Sequence, residues 1–379
     1  MRKNDYQPLG KYIEQVNVRN RDLTVTNLMG VSIEKRFIPS IANTIGTDLS
    51  PYKIVKPGQF AYGPVTSRNG DKITIALYNG NEDCIISQAY EAFRIKDTTQ
   101  LLPEYLMMWA KRPEFDRYAR YMSHGSVREL FSWEEMCNVM LPVPPIEEQR
   151  RIVSEYQTVE HRIANNEALI QKLEETAQAI YHHTFVEGID EENLPEGWNV
   201  TDVEHFCIET KSGGTPSRTN DSYWNKKDIP WLKSGEVQNC FVFDTEEYIS
   251  KEGMECSSAK LIPKDSVVMA MYGATASQVC YLKNEMTTNQ ACCNMICDSK
   301  SKACFLYFHL KAIQSDIKKL ANGGAQENLN KELVVSQRII CAPNDCYLPF
   351  LKIGNYISNI SEENIHLRTL LSLLTSKLS

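Results

Sequence analysis

The chain has 379 residues, 42% of them hydrophobic and 23% charged, which is too long for one ordinary core and too apolar for a disordered or collagen-like chain. At least two domains are expected. Lys+Arg 41 against Asp+Glu 48 gives a net charge of −7, which excludes a uniformly basic, histone-like nucleic-acid binder and leaves room for a local basic face.

The start, Met1-Arg2-Lys3-Asn4-Asp5-Tyr6, lacks the apolar stretch of a signal peptide. The longest uncharged run, Ser266 to Leu282, falls short of the ~20 apolar residues of a membrane span. A cytoplasmic protein without a membrane segment is expected. Twelve cysteines are too few for a disulfide scaffold and suit free thiols in a reducing compartment. Only Cys84 and Cys137 precede residue 190.

Residues 1–145 read as mixed α and β. Strand-like runs at Lys72–Tyr78 and Ile85–Ile95 are punctuated by the turn dipeptides Asn69-Gly70 and Asn79-Gly80, and Glu104–Met122 carries helical spacing. From Pro145 the seam positions step by four and three: Ile152, Tyr156, Val159, Ile163, Asn166, Ile170, Leu173, Ala177, Ile180. That is a heptad seam over a helix of residues 146–187, opened by a proline where a helix start tolerates one. The Gly-, Pro- and acid-rich stretch Glu187–Trp198 then ends the helix and opens residues 188–345.

This second block echoes the first. Ile54-Val55-Lys56-Pro57-Gly58 returns loosely as Lys260 to Asp265, and Ser87-Gln88-Ala89 as Asn289-Gln290-Ala291. At an offset of 198, Gly125 to Ser132 aligns with Gly323 to Asn330, and Leu141 to Pro145 with Ile339 to Pro343. Residues 346–379 carry a second seam: Ile353, Ile357, Ile360, Asn364, Leu367, Leu371, Leu374, Leu378. The predicted fold class is therefore α+β, with two mixed α/β domains separated by an antiparallel two-helix coiled coil of pseudo-two-fold symmetry. Residues 146–194 carry 4 basic and 11 acidic groups, the whole of the net charge, so the remaining residues sum to zero.

Each seam has one asparagine, and an unpaired amide in an apolar seam loses its hydrogen bonds. Facing Asn166 with Asn364 gives the register. Antiparallel helices then match Ile163 with Leu367, Val159 with Leu371, Tyr156 with Leu374 and Ile152 with Leu378; on the other side they match Ile170 with Ile360, Leu173 with Ile357 and Ala177 with Ile353. The competing reading is two ordinary amphipathic helices, each packed on its own domain. At ~1.5 Å per residue, Ile152 to Ala177 spans about 39 Å, near the ~34–36 Å that separates DNA half-sites one turn apart. A duplicated domain on such a rod reads as a molecular ruler.

The layout, and the segments Leu194-Pro195-Glu196-Gly197-Trp198, Ser212-Gly213-Gly214-Thr215-Pro216-Ser217, Pro230-Trp231-Leu232-Lys233-Ser234-Gly235-Glu236, Thr288-Asn289-Gln290-Ala291, Gly324 to Asn330 and Val143-Pro144-Pro145-Ile146-Glu147-Glu148-Gln149 to Val153, resemble the specificity (S) subunit of a Type I restriction–modification system. The resemblance covers nearly the whole chain, and the Pro-Pro-x-x-Glu-Gln helix entry is its most specific part. It implies two target recognition domains, 1–145 and 188–345, each reading half of a bipartite double-stranded DNA sequence. The spacer helices, 146–187 and 346–379, would dock two methyltransferase (M) subunits and, through them, restriction (R) subunits. S-adenosylmethionine, ATP and Mg2+ would sit on those partners, with no cofactor or active site on this chain. Pro343-Asn344-Asp345-Cys346-Tyr347 departs from the pattern, lacking the Glu-Gln that follows Pro145.

Consistently, the chain has no phosphate-binding Gly-x-x-x-x-Gly-Lys loop, no Gly-x-Gly-x-x-Gly fingerprint, no His-Glu-x-x-His and no Asn-Pro-Pro-aromatic methylase signature. No metal is expected: Cys292, Cys293, Cys297, Cys304, Cys341 and Cys346 match no paired knuckle spacing, and His182-His183 suits a helix end. DNA contact calls for Lys or Arg at phosphates and Arg, Lys, Asn, Gln, Ser or Thr at base edges. The candidates are Arg68, Lys72, Ser126 and Arg128 in the first domain and Lys233, Thr275, Gln278, Gln326 and Asn328 in the second. For the two Gly segments, backbone approach to phosphate competes with a tight helix-ending turn. The rival function is a single-chain DNA-modifying enzyme with a coiled-coil insert.

Overall fold

The computed structural model describes residues 6–40, 46–67, 70–125, 129–320 and 329–378, in two units: Met1–Ile163 with Leu367–Ser379, and Ala164–His366. In the first, the main sheet runs Ile13–Val16, Glu91–Ile95, Phe60–Tyr62, Ile75–Leu77, with every neighbouring pair antiparallel. Alternation along these strands explains the layering. Phe60, Tyr62, Ile75, Leu77, Phe93 and Ile95 enter the large core beneath the helices, whereas the small Ala61, Ala76 and Ala92 face a second, thinner core with Val55, Cys84 and Ile86. Phe60 and Phe93 stack at 4.8 Å.

The second unit repeats this order with Glu209–Ser212, Cys292–Ile296, Val267–Ala270 and Val279–Leu282, again antiparallel, and adds Cys240–Val242 as a parallel edge strand. Its strands also alternate: Val267, Met269, Val279, Tyr281, Cys293 and Met295 face one core, and Val268, Ala270, Cys280, Leu282 and Cys292 the other. Adjacent Cys292 and Cys293 therefore point to opposite faces and do not converge. Burial pushes the Cys280, Cys292 and Cys293 thiols up, Cys293 to about 12, as for structural thiols. All twelve cysteines are free, and no three His, Cys, Asp or Glu side chains gather at metal-binding distance among the described residues. Among those residues no helix is long and apolar enough to cross a membrane.

The helical stretch Glu104–Met122 is two helices, Pro103–Ala110 and Pro113–Tyr121, because Pro113 cannot continue the first and instead opens the second. Its counterpart likewise splits into Lys300–Ala312 and Gln314–Leu320. The run Ile85–Ile95 is similarly two strands, Cys84–Ile86 and Glu91–Ile95, parted by a turn in which Tyr90 N–H donates to the Ser87 carbonyl.

The central helix spans Ile146–Phe185 and the C-terminal helix Leu348–Ser376. In the first unit Val153, Tyr156 and Leu378 are buried together, with Ile152 and Leu371 packed alongside. In the second, Ala177, Ile353 and Ile357 are buried with Ile170 and Leu173 against them. Asn166 and Asn364, both nearly sealed from solvent, are joined by a 2.9 Å bond from Asn166 Nδ2 to Asn364 Oδ1. Beyond Ala177 the buried positions are Tyr181 and Phe185, with Ile180 only half-buried: the large rings reach Phe305, where the domain core takes over from the helix seam.

Candidate nucleic-acid interface

In both units the backbone brings two polar segments to one place. In the first, Thr66 N–H donates to the Glu129 carbonyl at 3.0 Å, and Phe131 N–H donates to the Pro64 carbonyl at 2.8 Å. His124 and Leu130 exchange both backbone bonds, so Gly125 and Glu129 sit on the same paired stem that Thr66 joins. Gly125 sits at φ +142, a region that favours glycine. In the second unit Leu329, the equivalent of Phe131, donates its N–H to the Met271 carbonyl at 2.8 Å, and the loop 272–278 leaves from there.

The repeated motif ends alike in both copies. Ser132 Oγ caps the helix Trp133–Asn138 by accepting from Glu135 N–H, and Asn330 Oδ1 caps Lys331–Val335 by accepting from Leu333 N–H. At its described end the motif thus starts a helix.

Arg68, Ser126, Arg128, Gln326 and Asn328 lie outside the described residues. Lys72 is exposed, with Glu34 3.5 Å away. Thr275 donates its hydroxyl to the Ser234 carbonyl at 2.7 Å, tying the loop 272–278 to the turn that begins at Lys233. Gln278 is half-buried and its carbonyl accepts Ala270 N–H at 2.9 Å; the intervening Ser277 takes φ +69 to close the hairpin. Lys233 is 2.7 Å from Glu246 and 3.2 Å from Glu247, and the Glu246 carboxylate raises its pKa. Glu247 also holds Arg218 at 2.6 Å, whose guanidinium stacks on Trp224 at 3.5 Å and faces Trp231 at 4.8 Å. Lys233 and Arg218 are thus already paired within their own unit.

Two motif segments turn out to be packing devices. A Cβ on Gly213 would stand 2.1 Å from the Asn289 carbonyl oxygen, and one on Gly214 2.4 Å from the backbone of Ser258 and Ala259; the Gly-Gly of Ser212–Ser217 lets three chain segments touch. Gln149, the Gln of Pro-Pro-x-x-Glu-Gln, is fully buried. Its Oε1 accepts Leu102 N–H at 2.9 Å and its Nε2 donates to the carbonyls of Gln100 and Pro144, both at 2.8 Å. The position 198 residues on is Tyr347, also fully buried, whose hydroxyl accepts Ala342 N–H at 2.7 Å; Ala342 is the counterpart of Pro144. The departure from the Glu-Gln pattern therefore keeps the local anchorage of the helix start by another side chain.

Each unit is also fixed to the central helix by a lysine. Lys111 reaches Glu160 at 2.6 Å over the ring of Tyr156, and Lys311 reaches Glu174 at 2.7 Å. Residues that the sequence did not single out lie beside the first loop pair: Arg117, Arg120 and the exposed Tyr121 on Pro113–Tyr121. Their signal is the polar face of that short helix, which the apolar spacing over 104–122 obscures.

Residues 195–344 match the family model of the Type I restriction modification DNA specificity domain. The chain is 22% identical over 373 aligned residues to the HindI specificity subunit of Haemophilus influenzae, taking in 79% of this chain and 80% of that protein. It is 27% identical over 132 residues to the EcoR124I/EcoR124II specificity subunit of Escherichia coli, about a third of each chain. The crystal structure of the Type I restriction–modification S subunit from M. genitalium superposes with a TM-score of 0.61 at 12% identity, covering 100% of this chain and 97% of that one, a likeness of fold. The second half of the chain thus matches a Type I restriction modification DNA specificity domain, four-fifths of the chain aligns with a Type I specificity subunit, and its fold is like that of a Type I S subunit.

Proposed function

We propose that the chain directs a Type I restriction–modification complex to a bipartite DNA sequence, with residues 1–145 and 188–345 as recognition domains that each read one half-site. The observation that carries this reading is the duplicated pairing of polar loops, Thr66–Glu129 with Pro64–Phe131 in one unit and Met271–Leu329 in the other. Such loops present side chains to base edges from a fixed stem, while flanking cations hold the phosphates. The two long helices set the half-site spacing and dock two methyltransferase subunits, with restriction subunits joining through those. S-adenosylmethionine, ATP and Mg2+ belong to the partners, and the complex works in the cytoplasm. Because Lys233 and Arg218 are already paired, much of the DNA affinity comes from the assembly.

The test is methylome sequencing of a host expressing this chain with its methyltransferase. A single bipartite motif, altered in one half when only residues 1–145 are exchanged for those of a relative, is the expected result. Methylation by the purified chain alone with S-adenosylmethionine would instead favour a single-chain DNA-modifying enzyme.

A further inference from the structure

A cleft of about 670 Å³ opens in the first unit between Asp71–Lys72 and the helix Pro113–Tyr121. Lys72, Arg117, Arg120 and Tyr121 line it, with Asp71 and Asp116. Asp116 does not cancel the cleft's positive charge: its carboxylate is 2.8 Å from the buried Lys35 ammonium and accepts Ile73 N–H at 3.1 Å. Lys35 also donates to the Ala110 carbonyl, so this internal pair ties the helix pair to the strand that follows Lys72. The cleft is thereby preorganised from behind.

Among the described residues, two of the three cations in front, Lys72 and Arg117, pair only with exposed carboxylates, whereas the contacting atoms of the half-buried Arg120–Glu129 pair are shielded from solvent. Lys72 is 3.5 Å from Glu34, Arg117 is 3.1 Å from Glu114, and Arg120 is 2.5 Å from Glu129. Exposed pairs such as those of Lys72 and Arg117 contribute about 0–1 kcal/mol, so a phosphate offering charge-assisted bonds competes with them readily, while Glu129 holds Arg120 in place at the cleft wall. Tyr121 is 82% exposed, leaving a ring and a hydroxyl free toward solvent at the mouth. Arg120 bridges to Glu129, whose carbonyl accepts Thr66 N–H, so the cleft is continuous with that paired stem.

We infer that this cleft holds the sugar–phosphate backbone of duplex DNA, with Lys72, Arg117 and Arg120 on phosphate oxygens and the Tyr121 hydroxyl donating to the same strand. The inference rests on the proposed DNA-reading function and assigns these residues to positioning, not base choice. Contacts to phosphate weaken all sequences alike and steepen salt dependence by about one counterion each.

The test uses the full chain assembled with its methyltransferase subunits, titrated across salt with a duplex carrying its methylation motif and with a scrambled duplex. Lys72→Gln and Arg117→Gln are each expected to weaken both duplexes roughly fivefold at 0.15 M salt and to lower the salt slope by about 1. Tyr121→Phe is expected to weaken both with an unchanged slope. Arg94→Gln, which removes one charge from an exposed pair with Glu14 on the main sheet, is the charge-matched control and is expected to leave the slope intact. Cleft variants that behave like Arg94→Gln while the parent complex binds and methylates its motif overturn the cleft assignment. A parent complex that shows no motif preference refutes the proposed function itself. All substituted side chains are exposed, so an unchanged thermal midpoint separates contact loss from unfolding.

Discussion

Asn166 donates its side-chain amide to Asn364 Oδ1 at 2.9 Å across the two long helices, and a second bond at 3.1 Å reaches Glu363. Both asparagines are buried, so each is the other's substitute for water. Asn364→Leu leaves the Asn166 amide short of a buried acceptor and is expected to cost about 1–3 kcal/mol. Replacing both by leucine removes the unmet demand and is expected to recover most of that loss. A double-mutant cycle on denaturant midpoints measures the coupling, expected between about 0.5 and 3 kcal/mol; strict additivity would show that the pair does not act as a unit.

Gln149 anchors the start of the central helix with three bonds to backbone groups of the segments before it. Gln149→Ala opens a cavity and leaves Leu102 N–H and two carbonyls unpaired, at an expected cost of about 3 kcal/mol. Glu148→Ala, one residue away but facing solvent with an exposed arginine partner, is expected to stay within about 0.5 kcal/mol. Chemical denaturation of the two variants side by side distinguishes an internal anchor from a surface docking residue.

His309 lies buried in the second unit, its Nδ1 2.9 Å from the Tyr181 hydroxyl, and desolvation pushes its pKa down to about 4 from 6.5. The unfolded chain therefore binds a proton between those values that the folded chain refuses. Stability from this site is complete above about pH 6.5 and declines as the pH falls toward 4, by up to about 3 kcal/mol. His309→Gln is expected to flatten that part of the pH–stability curve, read from melting midpoints at pH 4.5 and 7.5; parallel curves for parent and variant would contradict it.

Gly214→Ala places a methyl 2.4 Å from the backbone of Ser258 and Ala259, where no side-chain rotation relieves the overlap. A loss of at least about 2 kcal/mol is expected. Gly235→Ala meets nothing within 4 Å and is expected to be neutral or slightly stabilising. Differential scanning fluorimetry of the pair checks the contrast.

Patterns local in the chain were legible in the amino-acid order alone: the duplication, the heptad stepping from Ile152 to Ala177 and from Ile353 to Leu371, the two asparagines, and the family that the motifs resemble. Each depends on periodicity, which a helix or strand converts directly into a face. What a motif residue does depended on partners far away in sequence. Gln149 and Gly214 stand in the sequence only as members of family-like motifs, yet one is an internal clamp on Leu102 and the other a point of backbone contact with Ser258. Lys233 reads as a free cation until Glu246 and Glu247 close on it. Arg117, Arg120 and Tyr121 became visible only once Pro113 broke the helical stretch and turned a short polar face toward Lys72. Burial and charge pairing are properties of three-dimensional neighbours, and for these residues only the tertiary structure supplied the neighbours.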